Sequence, residues 1–247
     1  MIDVTCIIPA RGGSKRLPEK NIALLQGRPL IAYAIEAWKE SRYYQRPAIV
    51  STENDTIAAI SSSFDAEIIK RPTIYAQDDT PMIEVVKHVV HILEKYQQRR
   101  VHWILLLQPT SPLRVSEDID DCLDIVARNE ADSLSSICPE VSTYDTKENG
   151  AVYITHANII RGGTLNGQRH FYYMMPPERS IDIDTAEDMA RAEEILKGGQ
   201  DDNSGVLDKL GGDLPSKGDD KKRKGKRRGA GKISAIRRRE RKGEPLV

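Results

Sequence analysis

The chain of 247 residues is 39% hydrophobic, enough for one sizeable core, and a single domain with a tail fits it better than two small domains. Its 37 Lys+Arg and 37 Asp+Glu cancel, but residues 201–247 carry 15 Lys+Arg against 8 Asp+Glu, so a mildly acidic body precedes a basic end. The longest strongly apolar run, Trp103 to Leu107, is far below the roughly 20 residues of a membrane span; Cys6, Cys122 and Cys138 show no Cys-x-x-Cys spacing, which argues against structural zinc and for buried thiols in a reduced compartment, so a soluble, cytoplasmic chain with no membrane partner is expected.

Short β-branched runs alternate with longer helical patterns, the signature of an α/β architecture whose mainly parallel sheet is flanked by helices. Val4 to Ile8 is the first strand, and it opens directly into Ile8-Pro-Ala-Arg-Gly-Gly-Ser-Lys-Arg-Leu-Pro-Glu-Lys-Asn21. Gly12 and Gly13 allow backbone angles closed to other residues and a close main-chain approach, so that successive N–H groups can point at phosphate oxygens. Arg11, Lys15, Arg16 and Lys20 face one acid, Glu19; so much like charge after a buried strand calls for a polyanion, although a solvated basic turn has the same composition. Neither Gly-x-x-x-x-Gly-Lys-Ser/Thr nor Gly-x-Gly-x-x-Gly is present, which disfavours a P-loop NTPase and a standard dinucleotide site.

Leu30 to Glu40 reads as a helix with Ile31, Ala34, Ile35 and Trp38 on one face. Ala48 to Ser51 is the second strand, Asn54 or Asp55 caps a helix to about Ser61, and Glu67 to Lys70 makes a third strand stopped by Arg71-Pro72. Thr80 as N-cap, Pro81 at the first helical position, and Ile83, Val86, Val90 and Leu93 predict a helix to about Tyr96. His88 and His91 lie three apart on it without a third ligand in sight and are read as structural. His102 to Leu107 has the unbroken apolarity of a central strand and ends in Gln108-Pro-Thr-Ser-Pro-Leu-Arg114. Because open α/β sheets bind ligands beyond the carboxyl ends of their strands, this loop and the basic one belong on one rim.

Ser116 to Arg128 is the next helix and Ser133 to Cys138 the next strand, after which the polar stretch Pro139 to Glu148 forms a connecting loop. Strands follow at Gly150 to Thr155 and Phe171 to Met174. In Ser180-Ile-Asp-Ile-Asp184, alternation turns Ile181 and Ile183 inward and presents Asp182 and Asp184 as a carboxylate pair. Such a pair can hold Mg2+ together with substrate phosphates; equally, Asp184 and Thr185 can cap the helix Thr185 to Lys197, with Asp188 completing a capping box. No Ser-His-Asp or Cys-His order is evident.

The basic loop, the Leu-Gln-Pro-Thr-Ser-Pro-Leu-Arg segment and the Ile-Asp-Ile-Asp-Thr run together resemble the acylneuraminate cytidylyltransferases, the CMP-sialic acid synthetase family, over residues 2 to about 138 and 149 to 197. The resemblance implies a Rossmann-like nucleotide-diphospho-sugar transferase fold, a nucleotidyltransferase joining CMP from CTP to the anomeric hydroxyl of a nonulosonic (sialic-type) acid, and Mg2+ on Asp182 and Asp184. By match, Arg11, Lys20 and Asn21 handle CTP. Gly12, Gly13, Ser14, Arg71 and Thr80 complete the nucleotide set, and Gln108 and Asn149 lie on the sugar side. Arg11, Lys20 and Asp184 carry the catalytic burden. The related CMP-Kdo synthetases continue their loop Leu-Pro-Gly-Lys-Pro-Leu, so Asn21 favours the nonulosonic branch, while pseudaminic, legionaminic and Kdo-type acceptors stay open.

In the resembling family a much longer segment stands where this chain has only Pro139 to Glu148, and it supplies acceptor contacts and much of a homodimer interface. A weakened dimer and a weakly held acceptor are therefore expected. Residues 1–197 form the transferase domain, and 198–247 read as a disordered tail rich in Gly, Asp, Lys and Arg. Its basic clusters, Lys221 to Lys232 and Arg237 to Lys242, suit nucleic acid or an acidic partner, which leaves open a reading in which a catalytically weakened transferase fold binds nucleic acid through its tail.

Overall fold

The computed structural model describes residues 2–139 and 146–204. Strand β1 (Val4–Pro9) is buried at every position, as a strand covered on both faces requires. The basic loop after it tightens into a 3-10 turn at Lys20–Ile22 and leads into a two-stranded ribbon, β2 (Leu24–Leu25) and β3 (Arg28–Pro29). Gln26 and Gly27 between them take φ of 51° and 77°, the left-handed pair that a two-residue hairpin needs.

Helix α1 (Leu30–Glu40) buries the expected stripe of Ile31, Ala34, Ile35 and Trp38. β4 (Ile49–Thr52) follows, then α2 (Asp55–Ser63), whose N-cap is Asn54, its Oδ1 accepting from the Ile57 N–H at 2.9 Å. β5 (Glu67–Lys70) lies at its expected place. Helix α3 (Met82–His91) ends in a π-helical turn, Ile92–Tyr96. After it come β6 (Trp103–Leu106), α4 (Ser116–Arg128), β7 (Ser133–Pro139), β8 (Thr146–His156), the short α5 (Ala157–Arg161), β9 (His170–Met174) and α6 (Ala186–Ser204).

Seven strands form one sheet in the order β5-β4-β1-β6-β8-β7-β9, and β8 alone runs against its neighbours. The chain moves outward from β1 through β4 to β5 and then returns to β6 on the other side. That reversal puts a crevice between the carboxyl ends of β1 and β6, where doubly wound sheets bind ligands. Alternation within β1 divides the core: Val4, Cys6 and Ile8 join a cluster with Ile35 and Trp38 of α1 and Leu123 of α4, whereas Ile7 joins Val86, Val90 and Leu93 on the opposite face. A smaller cluster of Leu25, Leu30, Leu113, Ile181, Ile183 and Ala192 fixes α6 and the strand-like segment before it. All three cysteines are buried and free.

Several boundaries differ from expectation for physical reasons. Thr80 does not cap α3: its Oγ1 donates to the Ile74 carbonyl at 3.1 Å, and Pro81 occupies the N-cap. β8 begins at Thr146, because Pro139, Cys138 and Ile137 pair with Thr146, Lys147 and Glu148 in an antiparallel ladder; alternation is weak in this polar stretch, so pairing rather than pattern makes it a strand. α6 runs to Ser204, past Gly198 and Gly199, since glycine weakens a helix without blocking it as proline does. The remaining connection, 140–145, and the basic clusters beyond Ser204 lie outside the described residues.

Candidate functional site

A cavity of about 520 Å³ opens at the carboxyl ends of β1, β5 and β6. The basic loop gives it Arg11, Ser14, Lys15, Arg16, Lys20 and Asn21. From the rest of the rim come Arg71, Thr80, Gln108, Asp182 and Asp184. Arg11, Arg71 and Gln108 meet because three strand ends share one rim, and the segment before α6 brings Asp182 and Asp184 to it.

The loop cations are compensated from within the chain. Asp184 accepts from Lys20 Nζ at 2.6 Å and from Arg16 at 2.7 Å, and Asp78 pairs with Arg11 at 2.5 Å and with Lys15. Two carboxylates across the cavity therefore do what a polyanion was expected to do. Hydrogen bonding to Lys20 pulls the Asp184 carboxyl below the usual range, and Lys15 followed by Arg11 does the same for Asp78. Asn21 braces the loop by donating from Nδ2 to the Arg11 carbonyl at 2.9 Å.

The Ser180–Asp184 segment is held as the alternation predicts. Ile181 and Ile183 are buried, and the Ile183 N–H donates to the Thr110 carbonyl at 2.7 Å, a bond that sets the register of the aspartates on either side. Thr185 and Asp188 form the helix cap: Asp188 Oδ2 accepts from the Thr185 N–H at 2.8 Å and the Asp188 N–H donates to Thr185 Oγ1 at 3.2 Å. Thr185 and Asp188 thus make the cap without the Asp184 side chain, which faces the cavity and its cations. Burial, followed by the proximity of Asp184, pushes the Asp182 carboxyl up, against a hydrogen bond from Thr110. Among the described residues no group of three or more His, Cys, Asp and Glu converges as a metal cage, and His88 instead lies against Tyr75 in a tilted pair with ring centroids 5.2 Å apart. Two oxygen donors on one side of the cavity, Asp182 raised chiefly by burial, have the chemistry of a site for a hard cation that takes its remaining ligands from phosphate and water.

Three expected site residues act differently. Neither Gly12 nor Gly13 adopts positive φ; Gly12 is needed for space, since a Cβ there would lie 2.6 Å from Asn54 Nδ2, whereas nothing approaches the same position on Gly13. Asn149 is buried away from the cavity lining. Its Oδ1 accepts from Ser136 Oγ at 2.6 Å and its Nδ2 donates to Ser180 Oγ at 2.9 Å, so it ties β7 to the aspartate segment.

Sequence reasoning missed Asp78, Glu53 and Arg114 as parts of the site. Glu53 follows β4 on the same rim, but nothing local marks Gly12 and Arg71 as its partners. Asp78 lies on a loop whose packing against Arg11 has no local signal. Arg114 is buried, donates from Nε to the Ala151 carbonyl at 2.8 Å and bonds the Gln108 carbonyl, bracing both ends of the loop that carries Gln108. Burial brings its pKa down to about 10.

The cytidylyltransferase family model matches residues 5–162. An N-acylneuraminate cytidylyltransferase of Escherichia coli O18:K1:H7 is 30% identical over 219 residues, spanning 76% of this chain and 51% of that protein. N-acylneuraminate cytidylyltransferase A of Danio rerio is 28% identical over 221 residues, spanning 77% and 50%; the chain thus covers about half the length of these two relatives. The CMP-N,N'-diacetyllegionaminic acid synthase of Legionella pneumophila is 32% identical over 235 residues, spanning 78% of this chain and 96% of its own length. Among solved structures, a CMP:2-keto-3-deoxy-manno-octonic acid synthetase complexed with CTP superposes with a TM-score of 0.64 at 12% identity over 80% of this chain and 100% of the other. A 4-diphosphocytidyl-2C-methyl-D-erythritol synthase of Anaerococcus prevotii gives 0.61 at 11% over 78% and 96%. These two likenesses concern the fold.

Proposed function

Because the chain belongs to the cytidylyltransferase family, we propose that it transfers CMP from CTP to the anomeric hydroxyl of a nonulosonic acid, releasing pyrophosphate. The observation that carries this reading is the cavity at the β1/β6 reversal, which gathers Arg11, Lys15, Arg16, Lys20 and Arg71 around the carboxylates of Asp78, Asp182 and Asp184. In the reaction the oxygen of the anomeric hydroxyl bonds to the α-phosphorus and loses its proton to water, the bond from that phosphorus to the bridging oxygen breaks, and the leaving pyrophosphate keeps the electron pair. Such chemistry is mostly positioning and charge neutralisation. Arg11, Lys15, Arg16 and Lys20 exchange Asp78 and Asp184 for phosphate oxygens as the nucleotide enters. Ser14 offers a hydroxyl on the same wall, Thr80 donates there only by releasing the Ile74 carbonyl, Asn21 keeps the loop in shape, and Gln108 faces the acceptor.

Magnesium held by Asp182 and Asp184 together with phosphate oxygens would supply neutralisation of the charge that builds on the departing pyrophosphate. The chain's own part is to release Asp184 from Lys20 and Arg16, which the incoming phosphates do by competing for the same cations.

Pyrophosphate release from CTP, with ATP and GTP as controls, measured across sialic, legionaminic, pseudaminic and Kdo-type acids, tests the reading. CTP-specific, magnesium-dependent release with a sialic, legionaminic or pseudaminic acid is expected; release with a Kdo-type acid alone, or with none of them, overturns it. A legionaminic-type acceptor is the second reading, favoured by the near full-length match to the Legionella enzyme.

A further inference from the structure

Glu53 stands behind the cavity wall rather than in its lining, yet it touches both sides of the proposed nucleotide site. Its Oε1 accepts from the Gly12 N–H at 2.6 Å, and its Oε2 accepts from Arg71 Nε at 3.0 Å. The Arg71 side chain is only 3% exposed and that of Glu53 16%. Burial pulls the Arg71 guanidinium below its ordinary pKa and the nearby Arg11 adds to that, while Glu53 works against both. Without this carboxylate a buried cation would sit beside a second cation with nothing to offset it.

We propose that Glu53 is a positioning residue of the nucleotide site: one carboxylate fixes the first glycine of the basic loop to the guanidinium at the end of β5. The consequence differs from the one the glycines suggest. The Gly12 N–H is already taken by a charged acceptor and is withdrawn from the ligand, so the phosphates meet side-chain cations instead of that main-chain donor. With Nε held by Glu53, the Arg71 guanidinium has its terminal nitrogens left for the cavity it lines. The neighbouring Asn54 fits the same arrangement, since it occupies the space that a Gly12 side chain would need and caps α2, which ties the loop to a rigid element.

The inference rests on the nucleotide reading above, and the sign of one substitution tests it. Glu53→Gln removes a negative charge near the site, so an electrostatic bystander would make CTP bind more tightly when it is lost. A positioning residue gives the opposite result: calorimetric titration of the full chain with CTP and magnesium should show about tenfold or weaker binding, the loss expected for a charge-assisted hydrogen bond. Unchanged or tighter binding by a folded Glu53→Gln chain overturns the proposal. Should that variant fail to fold because Arg71 is left unpaired, Glu53→Gln/Arg71→Gln is compared with Arg71→Gln alone; the double variant should bind more weakly, and equal or tighter binding overturns the proposal. Inorganic tripolyphosphate is titrated in parallel. If the unaltered chain binds tripolyphosphate but not CTP and the variant loses tripolyphosphate, the CTP reading falls and the role of Glu53 stands. If the unaltered chain binds neither, both fall.

Discussion

Asp182 and Asp184 stand two positions apart, and their carboxyls are shifted in opposite directions. Burial raises Asp182, while Lys20 and Arg16 hold Asp184 down. A carboxyl whose folded pKa is raised binds protons more readily folded than unfolded, so its contribution to stability declines as pH rises from the unfolded value through the raised one. Asp182→Asn should therefore raise the melting temperature at neutral pH, and the gain should vanish on acidification below the usual carboxylate range; thermal scans from mildly acid to neutral pH check this. For Asp184 the sign reverses. Its lowered pKa contributes stability above the usual carboxylate range that is lost as pH falls through the folded value, and Asp184→Asn should flatten that acid limb. Asp184→Ala should also slow CMP transfer by on the order of 100- to 1,000-fold while costing no more than about 1 kcal/mol of stability, because Thr185 and Asp188 cap α6 without it. Turnover close to that of the unaltered chain would remove Asp184 from the chemistry.

Gly150 makes a second residue-scale case. Its φ is +73°, and a Cβ there would lie 2.9 Å from Gln108 Oε1 and 3.3 Å from Ser111 Oγ. Gly150→Ala should lose about 1–2 kcal/mol from the left-handed backbone and push the Gln108 side chain out of place. Steady-state kinetics should then show a larger change in the acceptor KM than in the CTP KM.

Among the elements, the segment from Pro177 to α6 is tied at several points. Arg179 makes a two-pronged pair with the fully buried Asp118 of α4, Nε to Oδ2 at 3.0 Å and Nη2 to Oδ1 at 2.8 Å. Asn149 holds Ser180, Thr110 holds Ile183, and the Thr185–Asp188 box starts the helix. Thr185→Ala should cost about 0.5–2 kcal/mol, the usual loss for an N-cap hydroxyl. Urea titration reads that loss as a lower midpoint at unchanged slope. A variant with an unchanged midpoint would show that Asp188 alone caps the helix.

The whole molecule turns on the β7–β8 hairpin. Its ladder extends outward to Pro139 and Thr146, so only residues 140–145 lie between the paired ends. A connection this short has little surface with which to bury a partner or cover a sugar. The chain should be monomeric or only weakly dimeric at micromolar concentration, with an acceptor dependence that stays linear over a wide range, because holding the hydroxyl in line with the α-phosphate is worth roughly 7–11 kcal/mol when a site is complete. Light scattering and steady-state kinetics check both; a tight dimer with ordinary saturation would show that the hairpin suffices.

What the sequence determined by itself was whatever depends on local pattern. Short apolar or β-branched runs specified β1, β5 and β6. A repeat of apolar residues at helical spacing specified α1 and α4 to the residue. The run Ser180–Asp184 announced its two faces because inward and outward residues alternate strictly there. The strand-end rule put the basic loop and the Gln108 loop on one rim, and the family resemblance added Arg71 and the aspartates, which the cavity lining brings together. Tertiary structure alone decided the rest. Asp78 and Glu53 acquired their roles from pairing with residues that chain order keeps far away, and a carboxylate carries no mark of which cation it will meet. Asn149 became a brace because the reversed β8 buries its amide between Ser136 and Ser180, and Thr146 to Glu148 became strand because β7 offered unpaired backbone groups. Partner choice of this kind is a property of the assembled sheet, where desolvation makes an unmet polar group costly and so forces each one to find a neighbour.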